Sequence, residues 1–274
     1  MDFLFTNLWR LFRDLPPSRK HLGPDHVVRT AVLQLEYDSS FKNRKIFTDF
    51  FMSLLSKIAS FSPDVVVFPA LTDLFFLRGV WSFPLPGRFI KNKLKVPETV
   101  SKQCERFMLE LSRRLNCTVA FGTTRGLKLC SEGRSLGEKR TKVKDYVLAL
   151  VPKRLLVSSE ALAKLVEEGV RIVVTPTSGT NIYSEWDDKY YFWSHAQMVG
   201  YYCLKATLVG KLLQNRLKDR ACVSGPIPIT QNHDGYIVRN ESLEGNAVLL
   251  AELDMERLEK FLLEQKSKFS TTIF

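Results

Sequence analysis

The spacing of hydrophobic positions changes repeatedly along the chain, between the short apolar runs typical of buried strands and the period of amphipathic helices. Turn and capping signals separate these segments, such as Ser158-Ser159-Glu160 before one helix and Asp234-Gly235 within a hairpin. The pattern predicts strands over residues 27–36, 64–69, 117–122, 145–151, 170–176 and 247–254, a hairpin over 221–238, and helices over 43–61, 97–115, 158–168, 187–203 and 255–266. Alternation of strands and helices indicates a layered α/β fold.

The beginning of the chain carries a separate amphipathic pattern. On a helical wheel of residues 2–15, leucine and aromatic side chains occupy one half and two arginines lie on the other. Pro16-Pro17 ends this pattern. We therefore divide the chain into an N-terminal helix with its linker, residues 1–26, and an α/β domain, residues 27–274. The apolar half of the helix suits docking within the protein's own assembly, a groove on a partner protein, or the boundary of an anionic membrane.

The chain is basic. Its 40 lysines and arginines against 29 acidic residues give a formal net charge of +11, and two basic runs cover residues 88–95 and 125–144. This balance favours an anionic partner, either a membrane surface or nucleic acid, although neither run carries an RNA-binding or helix-turn-helix signature. No apolar run is long enough to span a bilayer, and the N-terminus lacks the basic region of a signal peptide. We expect a cytoplasmic protein that can bind peripherally to a membrane.

Cysteine and histidine spacing argues against a metal site. The five cysteines include no CxxC pair, and the four histidines show no ligand spacing. A disulfide framework is equally disfavoured, which fits a reducing compartment. The sequence therefore predicts neither a metal nor a cofactor.

Six segments, taken in order, resemble the nitrilase (carbon–nitrogen hydrolase) superfamily. The first are the opening strand Ala31-Val32-Leu33-Gln34-Leu35 and the strand that ends at Phe68-Pro69. The others are Val119–Thr123 with its terminal Gly-Thr, Glu168–Thr177, the hairpin Ser224–Val238, and the closing Ala251-Glu252-Leu253-Asp254. The resemblance extends from about Val27 to about Leu262. It implies a four-layer αββα sandwich, which composition alone does not predict.

The same resemblance implies a Glu-Lys-Cys triad, which this sequence does not preserve. The superfamily's glutamate follows Phe-Pro, where this chain has Ala70. Lys153 is the nearest match to the position of the lysine, with Lys142 and Lys144 as alternatives. Ser158 is the nearest match to the position of the nucleophilic cysteine. No cysteine lies between residues 131 and 202.

The chemistry of the triad makes these differences important. In the superfamily a carboxylate takes the thiol proton and an ammonium stabilises the charge that develops. A serine hydroxyl is far less acidic than a thiol, and Ala70 supplies no base. Asp73, three residues after Ala70, is a possible stand-in carboxylate, but a helix-terminal charge or a surface residue is the simpler interpretation. An N-cap is likewise the simpler interpretation of Ser158.

Three functions compete on these grounds. The first is a superfamily protein that has lost hydrolysis and acts as a binding or scaffold subunit. The second is a divergent amidase-type hydrolase that uses Asp73, Lys153 and Ser158. The third is a peripheral membrane or nucleic-acid binder that uses the basic surface and the 2–15 helix. The aromatic residues of 187–203 suit the core, and the resemblance implies that helices in this region form a dimer interface. We therefore expect a homo-oligomer or a hetero-assembly, and His195 in this segment suits a core position.

Overall fold

The structure is a computed structural model of the 274-residue chain, and it describes Leu15 and residues 23–37, 44–80, 96–212 and 215–271. Helices are α1 (Arg44–Phe61), α2 (Thr72–Val80), α3 (Glu98–Leu115), α4 (Ser159–Glu167), α5 (Glu185–Asp188) and α6 (Met255–Thr271). Strands are β1 (Val27–Glu36), β2 (Val65–Val67), β3 (Thr118–Thr123), β4 (Gly126–Ser131), β5 (Arg134–Leu136), β6 (Arg140–Val143), β7 (Tyr146–Leu150), β8 (Val170–Ser178), β9 (Tyr202–Leu212), β10 (Asn215–Leu217), β11 (Cys222–Ser224), β12 (Tyr236–Arg239) and β13 (Ala247–Asp254). Two 3₁₀ turns, Lys153–Leu155 and Ile227–Ile229, and two π-helical segments, Lys189–Trp193 and Ala196–Gly200, complete the elements.

The strands form two sheets that are joined at one place. Parallel strands run in the order β3-β2-β1 in the first sheet and β9-β8-β7 in the second. The sheets meet where Gln34–Glu36 of β1 pair with Thr207–Val209 of β9, also in parallel. Antiparallel strands extend both sheets, β4 and β5 beyond β3, and β6 beyond β7. All six parallel strands therefore direct their carboxyl ends to the same edge.

Three apolar clusters show that the molecule has four layers. One cluster fills the space between the sheets and includes Val32, Val67, Ile172 and Leu204. A second packs helices α1, α2 and α3 against the outer face of the first sheet. The third packs α4 and the π-helical segments against the outer face of the second sheet. This arrangement is the predicted αββα sandwich, and it arises because strands with both faces buried need a helix layer on each outer side.

Gln34 stabilises the junction of the two sheets. Its side chain is fully buried, and its Nε2 donates to the carbonyl oxygens of Ser242, Glu244 and Gly245 at 3.3, 3.2 and 3.1 Å. Its Oε1 accepts a hydrogen bond from the backbone N–H of Ala221 at 3.0 Å. The glutamine of the opening strand therefore connects β1 to loops of both sheets.

Most predicted elements are confirmed, but the helix over residues 187–203 is wrong at its end. Helical structure stops at Gly200, and Tyr202 begins the eleven-residue strand β9. The aromatic residues continue across this boundary, so hydrophobicity gave no sign of the change. Gly200, whose positive φ of 76° breaks the helix, is the local signal for it.

Strands β4, β5 and β6 were not predicted. They carry much of the basic run over residues 125–144 and lie towards the edges of the two sheets, where polar side chains reach solvent. Edge strands need no apolar alternation, because one side is open to water. Their hairpin turns at Glu132-Gly133 and Lys144 adopt left-handed backbone conformations.

The N-terminal segment is described only at Leu15. This side chain is 1% exposed within the cluster beneath α1, α2 and α3, and Arg114 Nη2 donates to its carbonyl oxygen at 3.1 Å. The predicted helix over residues 2–15 otherwise lies outside the described residues, as does the basic run over 88–95. Among the described residues, no helix is long and apolar enough to cross a membrane.

Candidate functional site

Ala70, Lys153 and Ser158, the residues singled out by the sequence, follow the carboxyl ends of strands β2 and β7. Ala70 follows β2, and its backbone N–H donates to the carbonyl oxygen of Thr177 on β8 at 2.9 Å. This contact brings the ends of the two sheets together. Gly122 on β3 makes room for it, because a Cβ there would lie 2.7 Å from the Cα of Ala70. The side chain at this point is a methyl group, which has no titratable proton.

Asp73 is buried rather than exposed, which corrects the interpretation of this residue as a surface charge. Its side chain is 0% exposed in the first turn of α2. The carboxylate accepts hydrogen bonds from Ser101 Oγ at 2.7 Å, Thr124 Oγ1 at 2.7 Å and the N–H of Thr124 at 2.9 Å. It also accepts from the N–H of Leu74 at 3.0 Å. These donors occupy both carboxylate oxygens, so Asp73 connects α2 to α3 and to the β3–β4 turn.

Lys153 and Ser158 each contact a different part of the second helix layer. The ammonium of Lys153 lies 4.3 Å from the ring centre of Tyr191, a cation–π contact. Ser158 is the N-cap of α4, and its Oγ accepts from the N–H of Ala161 at 3.3 Å. In the described part of the chain, no hydrogen bond or ion pair joins Asp73, Lys153 or Ser158 to another of the three.

The two alternative lysines lie away from this edge. Lys144 Nζ donates to the carbonyl oxygens of Pro24 and Val27, at the amino-terminal start of β1, and lies 3.8 Å from Asp64 before β2. That is the opposite edge of the sheet. Lys142 is an exposed residue of the edge strand β6. Neither side chain is placed to assist chemistry beside Ala70.

The thiols offer no substitute nucleophile. All five cysteines are free and buried: Cys104, Cys117, Cys130, Cys203 and Cys222. Burial in apolar surroundings raises the pKa of every one of these thiols, to about 12 for Cys130 and Cys203. A thiol with a raised pKa and no solvent access does not form the reactive thiolate.

Comparison with solved structures identifies this architecture. A cysteine-to-serine variant of the Nesterenkonia AN1 amidase, from the nitrilase superfamily, superposes with a TM-score of 0.62 over 91% of this chain and 100% of that one, at 13% identity. A glutamate-to-glutamine variant of the same amidase, with the acetamide moiety of fluoroacetamide on its active-site cysteine, gives 0.63 over 93% and 100%, at 12% identity. A further amidase structure from Nesterenkonia sp. gives 0.60 over 88% and 96%, also at 12%. This chain has the nitrilase-superfamily fold. No protein-family model and no curated protein matches its sequence.

Sequence reasoning missed a cluster of buried charges on the outer face of β9. Lys205 is 1% exposed, and its ammonium forms ion pairs with Asp188 of α5 and with Asp219, whose Oδ1 lies 2.5 Å away. Asp219 also accepts from Thr207 Oγ1 at 2.7 Å, and Asp188 accepts from the Tyr183 hydroxyl at 2.9 Å. A lysine within the apolar run of β9 was the only sequence signal of this cluster.

The two carboxylates stabilise the charged form of Lys205 against the cost of its burial. Desolvation lowers the pKa of Lys205, but the carboxylates of Asp219 and Asp188 outweigh this effect and keep the pKa above its usual range. Burial raises the pKa of Asp188, against the opposing influence of Lys205. The ring of Phe192 covers the ammonium at 4.9 Å. The cluster thus ties α5 and the π-helical segments to β9, with every charge already paired.

His195 takes the core position that the sequence suggested. It is 7% exposed, and its Nδ1 lies 3.3 Å from the carbonyl oxygen of Tyr191, one turn earlier. Desolvation lowers its pKa, which favours the neutral form of the ring. Among the described residues, no group of three or more histidine, cysteine or acidic side chains is arranged to hold a metal ion.

Proposed function

We propose that this protein is a non-hydrolytic binding or scaffold subunit built on the nitrilase fold. The observation that supports it most directly is that, among the described residues, the serine nearest to the nucleophile's position, Ser158, forms no hydrogen bond with a carboxylate or an imidazole. Ala70 has no titratable group, Ser158 caps a helix, and Asp73 is hydrogen-bonded to Ser101 and Thr124. Nucleophilic acyl transfer requires a nucleophile that is hydrogen-bonded to its general base.

Covalent labelling provides the test, since fluoroacetamide and acrylamide both add to the active-site cysteine of a glutamate-to-glutamine variant of the Nesterenkonia amidase. We expect intact-mass spectrometry of the native protein to show no adduct with either reagent, because every thiol is buried. The urea-unfolded chain is the matched control, in which the five thiols become accessible. Rapid labelling of one thiol in the native protein would overturn the proposal.

An activity assay completes this test. We expect no hydrolysis of butyramide or acrylamide by the native protein, and none by the Ala70→Glu variant, which restores a carboxylate but no nucleophile. Amide turnover that disappears in Ser158→Ala or Asp73→Asn, but persists in Ser159→Ala, would favour the divergent hydrolase instead.

A surface for assembly supports the scaffold part of the proposal. The segment of residues 182–198 exposes Ile182, Trp186, Tyr190 and Met198, with Trp186 72% and Met198 78% exposed. Contiguous exposed apolar side chains are typical of interaction sites. We propose that a second copy of this chain covers them. Light scattering should then show a dimer that Trp186→Ser/Met198→Ser dissociates and that the control Val166→Ser, on α4, leaves intact. A monomeric native protein would contradict this.

A further inference from the structure

A cavity of about 480 Å³ opens on the outer side of the second sheet. It lies between the start of the edge strand β6, the carboxyl end of β7, and helix α4. Cavities of roughly 300–1,000 Å³ are the usual size for small-molecule sites. The lining residues are Glu138, Lys139, Arg140, Ala149, Leu150, Val151, Pro152, Leu155, Ala161, Lys164 and Leu165.

The cavity is apolar in its depth and basic at its rim. Ala149, Val151 and Leu165 are buried and form part of the wall, and they belong to the apolar cluster beneath α4. Lys139 and Lys164 are exposed. In the part of the chain that the structure describes, neither of these lysines forms an ion pair or a hydrogen bond through its side chain.

Arg140 adds a third cation whose position is fixed. Its Nη2 lies 2.6 Å from Glu168 Oε2, at the end of α4. This ion pair connects edge strand β6 to α4 across the cavity. Glu138 is the single carboxylate of the lining, and Glu168 already neutralises Arg140, so the two lysines leave an excess of one positive charge.

The cavity is separate from the degenerate triad. Ala70, Asp73, Lys153 and Ser158 do not line it. Ala70 faces Thr177 and Gly122 instead, at the meeting point of the two sheets. A ligand in the cavity therefore needs none of the positions from which catalysis has been lost.

We propose that this cavity binds a small carboxylate with an apolar body. The body packs against the buried wall, and the carboxylate lies at the rim between Lys139, Lys164 and Arg140. Charge complementarity selects the anion, and the apolar wall selects against a small, fully hydrated ion such as phosphate. This inference rests on the proposed binding function and names the ligand class for one site.

Calorimetric titration with phenylbutyrate tests the ligand class, with phenylbutyramide as the neutral probe of the same shape. We expect saturable binding of phenylbutyrate that weakens as salt is raised, and binding of the amide that is weaker by about tenfold or more, since a lost charge pair of about 1.4 kcal/mol changes the affinity tenfold. Equal affinity for the two probes, or no binding of phenylbutyrate, would overturn the inference. Hydrolysis of the amide would overturn the proposed function instead.

Paired variants locate the site. Lys139→Gln/Lys164→Gln should reduce the affinity for phenylbutyrate about tenfold, and Ala161→Phe, which fills the cavity, should abolish binding. Lys57→Gln/Lys260→Gln removes two exposed lysines elsewhere and should have no effect. Circular dichroism checks that each variant is folded. If the control pair weakens binding as much as the cavity pair, general charge attraction explains the result and the site is wrong.

Anionic vesicles distinguish the other source of negative charge. We expect phosphatidylserine vesicles not to compete with phenylbutyrate. Vesicle binding that disappears in Lys139→Gln/Lys164→Gln, together with no binding of phenylbutyrate, would assign these lysines to a membrane surface and overturn the cavity as a carboxylate site.

Discussion

The carboxyl edge of the sheets and the outer face of β9 use polar side chains in opposite ways. At the edge, Asp73, Lys153 and Ser158 each bond within a different part of the structure and do not contact one another. On β9, Lys205 brings together the carboxylates of Asp188, on α5, and Asp219, in the loop before β11. The convergence of charged groups that normally marks an active site is thus found where every charge is already paired.

In both regions the polar side chains are engaged within the protein. A catalytic group must remain available to a substrate, which costs stability because its partners are incomplete. Asp73 and Ser158 do not keep such availability, because their side-chain oxygens already accept hydrogen bonds. The Lys205 cluster instead has the features of a structural network, with its charges compensated and the segment 183–200 held against the sheet. We therefore expect substitutions in both regions to change stability rather than turnover.

Lys205→Met should have the largest effect. It leaves Asp188 and Asp219 as neighbouring buried carboxylates without their cation, and breaking a buried ion pair in this way costs about 3–5 kcal/mol. The free energy of unfolding in urea measures the loss. Lys211→Met, at an exposed position of the same strand, should change it by less than about 0.5 kcal/mol.

A compensating variant sharpens this prediction. Lys205→Met/Asp188→Asn/Asp219→Asn removes all three charges, so it should be more stable than Lys205→Met alone, because the unpaired carboxylates are gone. If the triple variant is less stable than the single one, the hydrogen bonds of the carboxylates matter more than their charge compensation.

Asp73→Asn should have the second-largest effect. The substitution keeps the shape but replaces charge-assisted hydrogen bonds from Ser101 and Thr124, and it turns one acceptor atom into a donor that faces other donors. We expect the free energy of unfolding to fall by about 1–3 kcal/mol. Asp187→Asn, whose carboxylate lies outside this network, is the control. A variant as stable as the native protein would contradict a stabilising role for the hydrogen bonds of Asp73.

Ser158→Ala should cost less again. The hydroxyl accepts from the N–H of Ala161, and loss of an N-cap destabilises a helix by about 0.5–2 kcal/mol. Ser159→Ala is the matched control, because Ser159 is the first residue of α4 and is exposed. Equal effects of the two substitutions on the free energy of unfolding would contradict the assignment of Ser158 as the cap.

The sequence predicted those elements whose signals are local. The bounds of β1 and β13 were predicted to the residue, since each is a single apolar run between turn signals. The Ser158 cap was recognisable for the same reason. The burial of Asp73 was not, because Ser101 and Thr124 lie 28 and 51 residues away in the chain. The partners of Lys205 are 17 and 14 residues away, across a strand boundary that the aromatic pattern concealed.

The smallest effect concerns pH and His195, which lies in the segment that covers the Lys205 cluster. Burial lowers the pKa of this histidine in the folded protein, so below the ordinary value of about 6.5 the unfolded chain binds a proton that the folded chain resists. The stabilising contribution is therefore complete above about pH 6.5 and is lost as the pH falls through the folded pKa. Urea titrations between about pH 5 and 7.5 should show a stability that falls towards acid, and His195→Asn should flatten this dependence. His233→Asn, at an exposed turn, should leave the slope unchanged. The pH dependence of the free energy of unfolding could instead be the same in His195→Asn as in the native protein. In that case the group that binds the proton lies elsewhere, and the neutral state of His195 does not affect the cluster beneath it.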